Sequence, residues 1–419
     1  MTQNLNDAGA AALPPVSEAD RQNLPRGADQ FMWTAEQKLV AHRNMHVLFP
    51  SQVIRAGAPV YPLPQGTQID VDYKHRGVRY NIDSYMAAND ATGLLVLKNG
   101  ERVVERYTRG NTEHTLWASR SMGKSITSTL VGMAVKDGFI KTVDDPVSRY
   151  VPELTGTLYE HVTLRQCLQM VSGVPYTEDY LDPTSDVFPL QACTVGNQAG
   201  CFLQFLVNLA SRDNGFITPP GSVFNYSSAD SVLNGLVLER ATGVVPPAYI
   251  EEKLWRHFGM ESNSYWNMEA EDGSAFTASG YGATLRDYGR FGLFILNGGV
   301  LPDGTQTLPD TWLADAVSPS EASLQASQPY GFQWWLHEYG NVLSTKAGAV
   351  DPSSPELPPI RPRGSETMFY ALGSSGQTIA INPAENVVIV KWAVWEKPTP
   401  DRGRYDDAAL FAAIIDALH

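Results

Sequence analysis

The sequence predicts a mixed α/β protein whose strands come from both ends of the chain and whose helices lie between them. Three observations carry this. "LLVLKNGERVVERY" is two β-rich runs joined by Asn99-Gly100, residues favoured where a two-residue turn needs positive φ. Late in the chain, "TMFYALGSSGQTIAINPAENVVIVKWAVW" holds further short β-rich runs separated by turn residues. Between the two, apolar periodic segments end in glycine stops, as helices do.

Taken in order, residues 1–30 are polar and proline-bearing and read as a loose arm. The segment from Phe31 to Gly57 carries aromatic and aliphatic residues at mixed spacing. His42 and His46 stand four apart there, as zinc ligands on one helix would, but Arg43 occupies the place where that motif needs glutamate, so packed or solvated histidines are expected. After the hairpin, "SMGKSITSTLVGMAVKDGFI" predicts a helix stopped by Asp137-Gly138, and "VTLRQCLQMVSG" a short one. From Val174 to about Pro220 the density of Pro, Gly, Asp and Asn predicts long surface excursions, the kind that shape a cleft. "SSADSVLNGLVLERATG" is a capped helix, "DPSSPELPPIRPRG" a proline-rich loop, and "DDAALFAAIIDALH" an amphipathic terminal helix.

At 419 residues, 43% hydrophobic and 18% charged, the chain has the composition of a soluble globular protein with room for one large or two interlocked cores. Its net charge of −14 argues against nucleic acid or an anionic membrane as partner, and would repel anionic small molecules unless a local basic pocket overrides it. No run approaches the length of a membrane span, and the N-terminus lacks the basic and apolar regions of a secretory signal. Three cysteines, Cys167, Cys193 and Cys201, suit a reducing cytoplasm; Cys193 and Cys201 would pair only on export.

"ASRSMGKS", residues 118–125, fits two mechanisms. Gly123-Lys124-Ser125 reads as the tail of a phosphate loop, which needs a buried parallel strand before it; "RGNTEHTLW" is too polar to be one. Ser121-Met-Gly-Lys124 reads as an S-x-x-K nucleophile pair. At a helix start these two side chains lie one turn apart on one face, about 5–6 Å between Cβ atoms, so the amine reaches the hydroxyl. The backbone N–H of a serine there can also bind an oxyanion. As a base Lys124 must be neutral, which takes burial or a neighbouring cation; alternatively it stays charged and lowers the pKa of a neighbouring phenol, which becomes the base.

With "SRSMGKSITSTLVGMAVKDGFIKTVDDPVSRYVPEL", "VTLRQCLQMVSGVPYTEDYLDPTSD", "FNYSSADSVLNGLVLERATG" and "GSSGQTIAINPAENVVIVKW" in that order, the chain resembles the class C β-lactamase and penicillin-binding-protein superfamily, nearest its 6-aminohexanoate-dimer hydrolases and β-lactamase-like carboxylesterases. The resemblance implies a two-domain fold: an α/β domain with an antiparallel sheet from residues 31–118 and 290–419, and a mostly helical domain from 119–289. It implies Ser121 as nucleophile, Lys124 as base and Tyr226, in Tyr226-Ser227-Ser228, as the facing phenol. The third motif, usually Lys-Thr-Gly, aligns with Ser374-Ser375-Gly376, which removes the carboxylate-gripping cation and offers Ser375 as second oxyanion donor, with Ser375 and Gly376 against substrate. Tyr180 and Trp335 match substrate contacts. The expected activity is hydrolysis of linear amides or small esters, with no cofactor and no metal. A carboxylesterase without amidase activity, a non-catalytic binding protein on the same fold, and a homodimeric assembly all stay open on sequence alone.

Overall fold

The computed structural model describes residues 13–25, 30, 33–212, 215–336, 360–398 and 403–419. Six antiparallel strands form the main sheet, in the spatial order Glu101–Tyr107, Ala91–Lys98, Val387–Ala393, Gln377–Asn382, Phe369–Gly373, Trp335–Leu336. The Asn99-Gly100 turn joins the first two with φ of 53° and 81°, setting Lys98 opposite Glu101. Both chain ends therefore supply one sheet, and its central strands are buried on both faces. Side-chain alternation divides them: Leu95, Leu97, Val388, Val390 and Trp392 enter one core, whereas Leu94, Val96, Val387 and Ile389 enter a second core under the terminal helix Gly403–Asp416. This is the β-lactamase-like arrangement of antiparallel sheet, flanking helices and helical body.

A smaller antiparallel sheet, Ser51–Ile54, Ser264–Asn267, Tyr281–Ala283, Trp117–Ala118, lies beside the helical body. Its last strand delivers the chain into the helix Met122–Lys136, of which thirteen residues are buried. Buried on most of its circumference, that helix is a central pillar rather than a surface helix. It packs against the helix Ser228–Thr242 on one side and the strand Phe369–Gly373 on another. Asp137 and Gly138 (φ 80°) end it as the sequence predicts.

Three expectations are corrected. The excursion from Val174 to Pro220 contains two helices, Val187–Ala192 and Cys201–Ala210; in the second, Phe202, Leu206 and Leu209 face the core at helical spacing, a pattern masked by the surrounding Gly and Asp. Cys193 and Cys201 form a disulfide with Cα atoms 5.6 Å apart, leaving only Cys167 as a free thiol, which is buried. A cysteine count carries no information about which pairs the fold brings together. The described part of the N-terminal arm is packed: a turn at Glu18–Arg21 buries Asp20, which accepts from Asn44 Nδ2 at 2.9 Å. The segment after Phe31 forms a helix, Ala35–Leu48, fixed by a capping box between Thr34 and Gln37. Much of "DPSSPELPPIRPRG" lies outside the described residues. Among the described residues no helix is long and apolar enough to cross a membrane, and no group of His, Cys, Asp or Glu could hold a metal ion.

Candidate active site

The phosphate-loop alternative fails on structure as well as on sequence. The strand before "ASRSMGKS" is two residues long and pairs antiparallel with Tyr281–Ala283. The turn is pinned to that neighbour instead: Ser119 N–H donates to the Tyr281 carbonyl at 2.7 Å and Ser119 Oγ to the Ser279 carbonyl at 2.6 Å. Arg120 then takes a left-handed conformation, φ 49°, a strained state that a non-glycine residue holds only where its surroundings enforce it. Ser121 follows as the N-cap of the pillar helix, but its side chain makes no capping bond, which leaves the hydroxyl for chemistry.

Lys124 lies one turn on and is 1% exposed. Its Nζ reaches three acceptors: Ser121 Oγ at 3.1 Å, Ser228 Oγ at 3.0 Å and the Ala278 carbonyl at 2.9 Å. These match the three protons of an ammonium, yet none is a carboxylate. Burial accordingly lowers the lysine pKa to about 8, with Glu178 pulling the other way. Holding the amine there costs roughly 3 kcal/mol.

The same three contacts dictate where a proton can come from once the amine is neutral. A carbonyl has none to give. Ser228 Oγ donates to Glu178 Oε1 at 2.9 Å, so its proton is committed. Of these three contacts, Ser121 is the one that can turn its O–H toward the nitrogen lone pair. Position 228 thus sets the direction of transfer.

Glu178 organises the opposite wall. It accepts from the Ser228 N–H at 2.8 Å, from Ser228 Oγ, and from the Tyr180 hydroxyl at 2.6 Å. Tyr180, half-buried, lines the same cleft as Ser121, Glu178 and Ser374, an empty volume of ≈ 310 Å³. Tyr226 stands beside the lysine, its ring centre 5.0 Å from Nζ. Trp335 stacks on that ring at 5.7 Å between centroids, and Phe224 and Tyr330 pack against the tryptophan in turn. Trp335 therefore acts on the site through Tyr226, as the brace that fixes the phenol's plane.

The third motif is shifted from its sequence alignment. Ser375 points its N–H at the Pro398 carbonyl, 2.8 Å away, and its own carbonyl accepts from Trp395. That donor is spent inside the fold and is not offered to an oxyanion. A Cβ on Gly376 would strike the Trp395 ring at 2.6 Å, so this glycine is demanded by packing behind the sheet rather than by substrate. The residues that meet the nucleophile turn are Gly373, whose missing Cβ would lie 2.6 Å from the Ser119 carbonyl, and Ser374, which lines the cleft. A tight turn at the strand end, with Ser375 at φ 59°, displaces the motif in a way that aligned letters do not reveal.

Sequence reasoning also missed Glu178 and the role of Ser228. Ser228 was visible as the third residue of the tyrosine motif. Glu178 had no signal separating it from Asp179 or Asp182 in "TEDYLDP".

The Beta-lactamase family model matches residues 78–414, most of the chain. This chain belongs to the Beta-lactamase family. It is 27% identical over 325 residues, 74% of this chain and 73% of the relative, to the 6-aminohexanoate-dimer hydrolase of Paenarthrobacter ureafaciens. Among solved structures it superposes on a Bacillus anthracis protein provisionally named a 6-aminohexanoate-dimer hydrolase with a TM-score of 0.71 and 22% identity, covering 96% of this chain and 98% of the other. A penicillin binding protein from Bacillus halodurans gives 0.56 at 21% identity over 80% of this chain and 99% of the other. These two likenesses show the shared fold. Family and architecture together make the chain a serine hydrolase of the β-lactamase superfamily.

Proposed function

We propose that the protein hydrolyses linear amides of the aminohexanoate-oligomer type, and small carboxylic esters, through an acyl-enzyme on Ser121. The observation that carries this is the buried lysine, 3.1 Å from the serine hydroxyl with no carboxylate among its three acceptors. Neutral Lys124 takes the Ser121 proton as Oγ attacks the substrate carbonyl. The N–H groups of Ser121 and Ser374 receive the oxyanion. Tyr226, beside the ammonium so formed, relays a proton to the departing amine or alkoxide while the C–N or C–O bond breaks. Water then gives a proton to the same relay and attacks the acyl carbon, and Ser121 leaves with its proton restored.

The linear substrate class is supported by the likeness to the Paenarthrobacter hydrolase, and by the absence of a Lys-Thr-Gly cation at the strand end, where Leu372, Gly373 and Ser374 stand. Purified protein challenged with a nitrophenyl ester, the linear 6-aminohexanoate dimer, an aryl amide and a chromogenic cephalosporin should turn over the ester and the dimer and spare the cephalosporin. Ser121→Ala should abolish both activities while leaving the circular dichroism spectrum unchanged; turnover surviving in that variant contradicts the assignment.

A further inference from the structure

The residue before the nucleophile is held from the N-terminal part of the chain. Arg120 has φ 49° and its carbonyl accepts from the Gly123 N–H at 3.0 Å, so its conformation orients the peptide that carries the Ser121 N–H. A left-handed arginine persists only where contacts enforce it. On one side its Cβ is pressed against Gly373, whose own Cβ, if present, would lie 3.0 Å away. On the other its buried guanidinium is tied down: Nε donates to His42 Nε2 at 2.8 Å and Nη1 to Gln30 Oε1 at 2.7 Å.

His42 is suited to this task by what surrounds it. It is fully buried in the helix Ala35–Leu48, and its ring meets Trp117 edge-on with centroids 5.1 Å apart. Trp117 in turn stacks on Trp392 of the main sheet at 5.3 Å and donates from Nε1 to Gln377 Oε1 at 2.9 Å. Two tryptophans and the sheet behind them thus fix where the imidazole lies. An arginine Nε can only donate, so His42 Nε2 holds a lone pair and the ring proton sits on Nδ1. Nδ1 has no hydrogen-bond partner among the described residues, so the bond to Arg120 is the one hydrogen bond of the ring there. Burial and the positive charges of Arg120 and Lys38 hold the His42 pKa well below 6.5, which keeps that lone pair available at neutral pH. A phenylalanine would fill the same space; the nitrogen is what packing alone leaves unexplained.

Resting on the serine-hydrolase reading above, we infer that His42 is a positioning residue, a neutral acceptor that fixes Arg120 and through it aims the Ser121 hydroxyl and N–H at the substrate carbonyl. His42 is not among the residues that line the cleft, so it acts through Arg120 and not on substrate. A loosened turn is felt most in the transition state, where the Ser121 N–H meets an oxyanion. Loss of the acceptor should therefore harm kcat more than KM.

The test separates the acceptor from the ring. His42→Phe keeps the aromatic contact with Trp117 and removes the acceptor; His42→Gln gives up the ring and supplies an amide oxygen at similar reach. On the nitrophenyl ester His42→Phe should lower kcat by at least about tenfold with KM held within about twofold, and slow fluorophosphonate labelling of Ser121 to match. His42→Gln should recover kcat to within about threefold of the wild type. A wild-type kcat in His42→Phe overturns the inference, and so does an equal loss in both variants, which would credit the ring. Should His42→Phe fail to fold, Arg120→Gly removes the anchored side chain while favouring the left-handed turn; labelling should again slow about tenfold, and an unchanged rate contradicts the inference. Hydrogen exchange over residues 117–124 gives a readout without turnover. Exchange there should quicken in His42→Phe and match the wild type in His42→Gln; unaltered protection in His42→Phe counts against the anchor. Absence of ester hydrolysis and of Ser121 labelling in the wild type would instead sink the catalytic reading, leaving hydrogen exchange to decide whether His42 holds the turn.

Discussion

Two buried lysines in this protein have opposite fates. Lys391 lies in the main sheet, 0% exposed, with its ammonium 2.6 Å from both carboxylate oxygens of Asp407 on the terminal helix. Tyr85 donates to the same carboxylate, and the Trp395 ring lies 4.3 Å from the ammonium. Lys124 is equally buried but meets two hydroxyls and a carbonyl. A full opposing charge makes the first a brace that ties the end of the chain to the sheet. Neutral acceptors make the second a group whose charge is costly and whose proton is exchangeable. The difference lies in what the fold places within 3 Å, not in the side chain or its depth.

The largest expected effect breaks the second member of this pair. Lys124→Met removes the proposed base and should lower kcat/KM on the nitrophenyl ester by about 10³-fold or more, with the unfolding midpoint in urea held or raised because a costly buried amine is gone. Asp407→Ala breaks the first member. It strands the Lys391 charge in the core and should cost about 3–5 kcal/mol in urea unfolding, while the folded fraction keeps the wild-type kcat. A kinetic defect without a stability loss would contradict the division of labour.

A smaller effect sharpens the contrast. Ser228→Ala takes away one acceptor of the Lys124 ammonium and its link to Glu178. Losing an acceptor for the charged form lowers the lysine pKa, so the acidic limb of the pH–rate profile should move to lower pH, with kcat reduced by about tenfold. A limb displaced upward would show that Ser228 opposes the ammonium rather than supporting it.

Much of this was legible in the chain itself. Strand alternation, the Asn99-Gly100 turn and the capped helices are local signals, and they lead to the observed sheet and pillar helix. The Ser121 and Lys124 pairing is local too, because three residues on a helix fix it. What escaped were relations across long separations. Nothing near Glu178 announces that it will meet Ser228, and nothing near Arg120 announces His42 and Gln30. The third motif was misplaced for a related reason: a turn's geometry, not its letters, sends the Ser375 N–H to Pro398 and leaves Ser374 facing the nucleophile.

The most direct test of the central claim is the pH dependence of fluorophosphonate labelling at Ser121 in the wild-type protein. If a buried amine with a pKa near 8 activates that hydroxyl, the labelling rate should rise about tenfold per pH unit from pH 5 and level off above pH 8. A rate independent of pH across that range, or a label found on another residue, would contradict it.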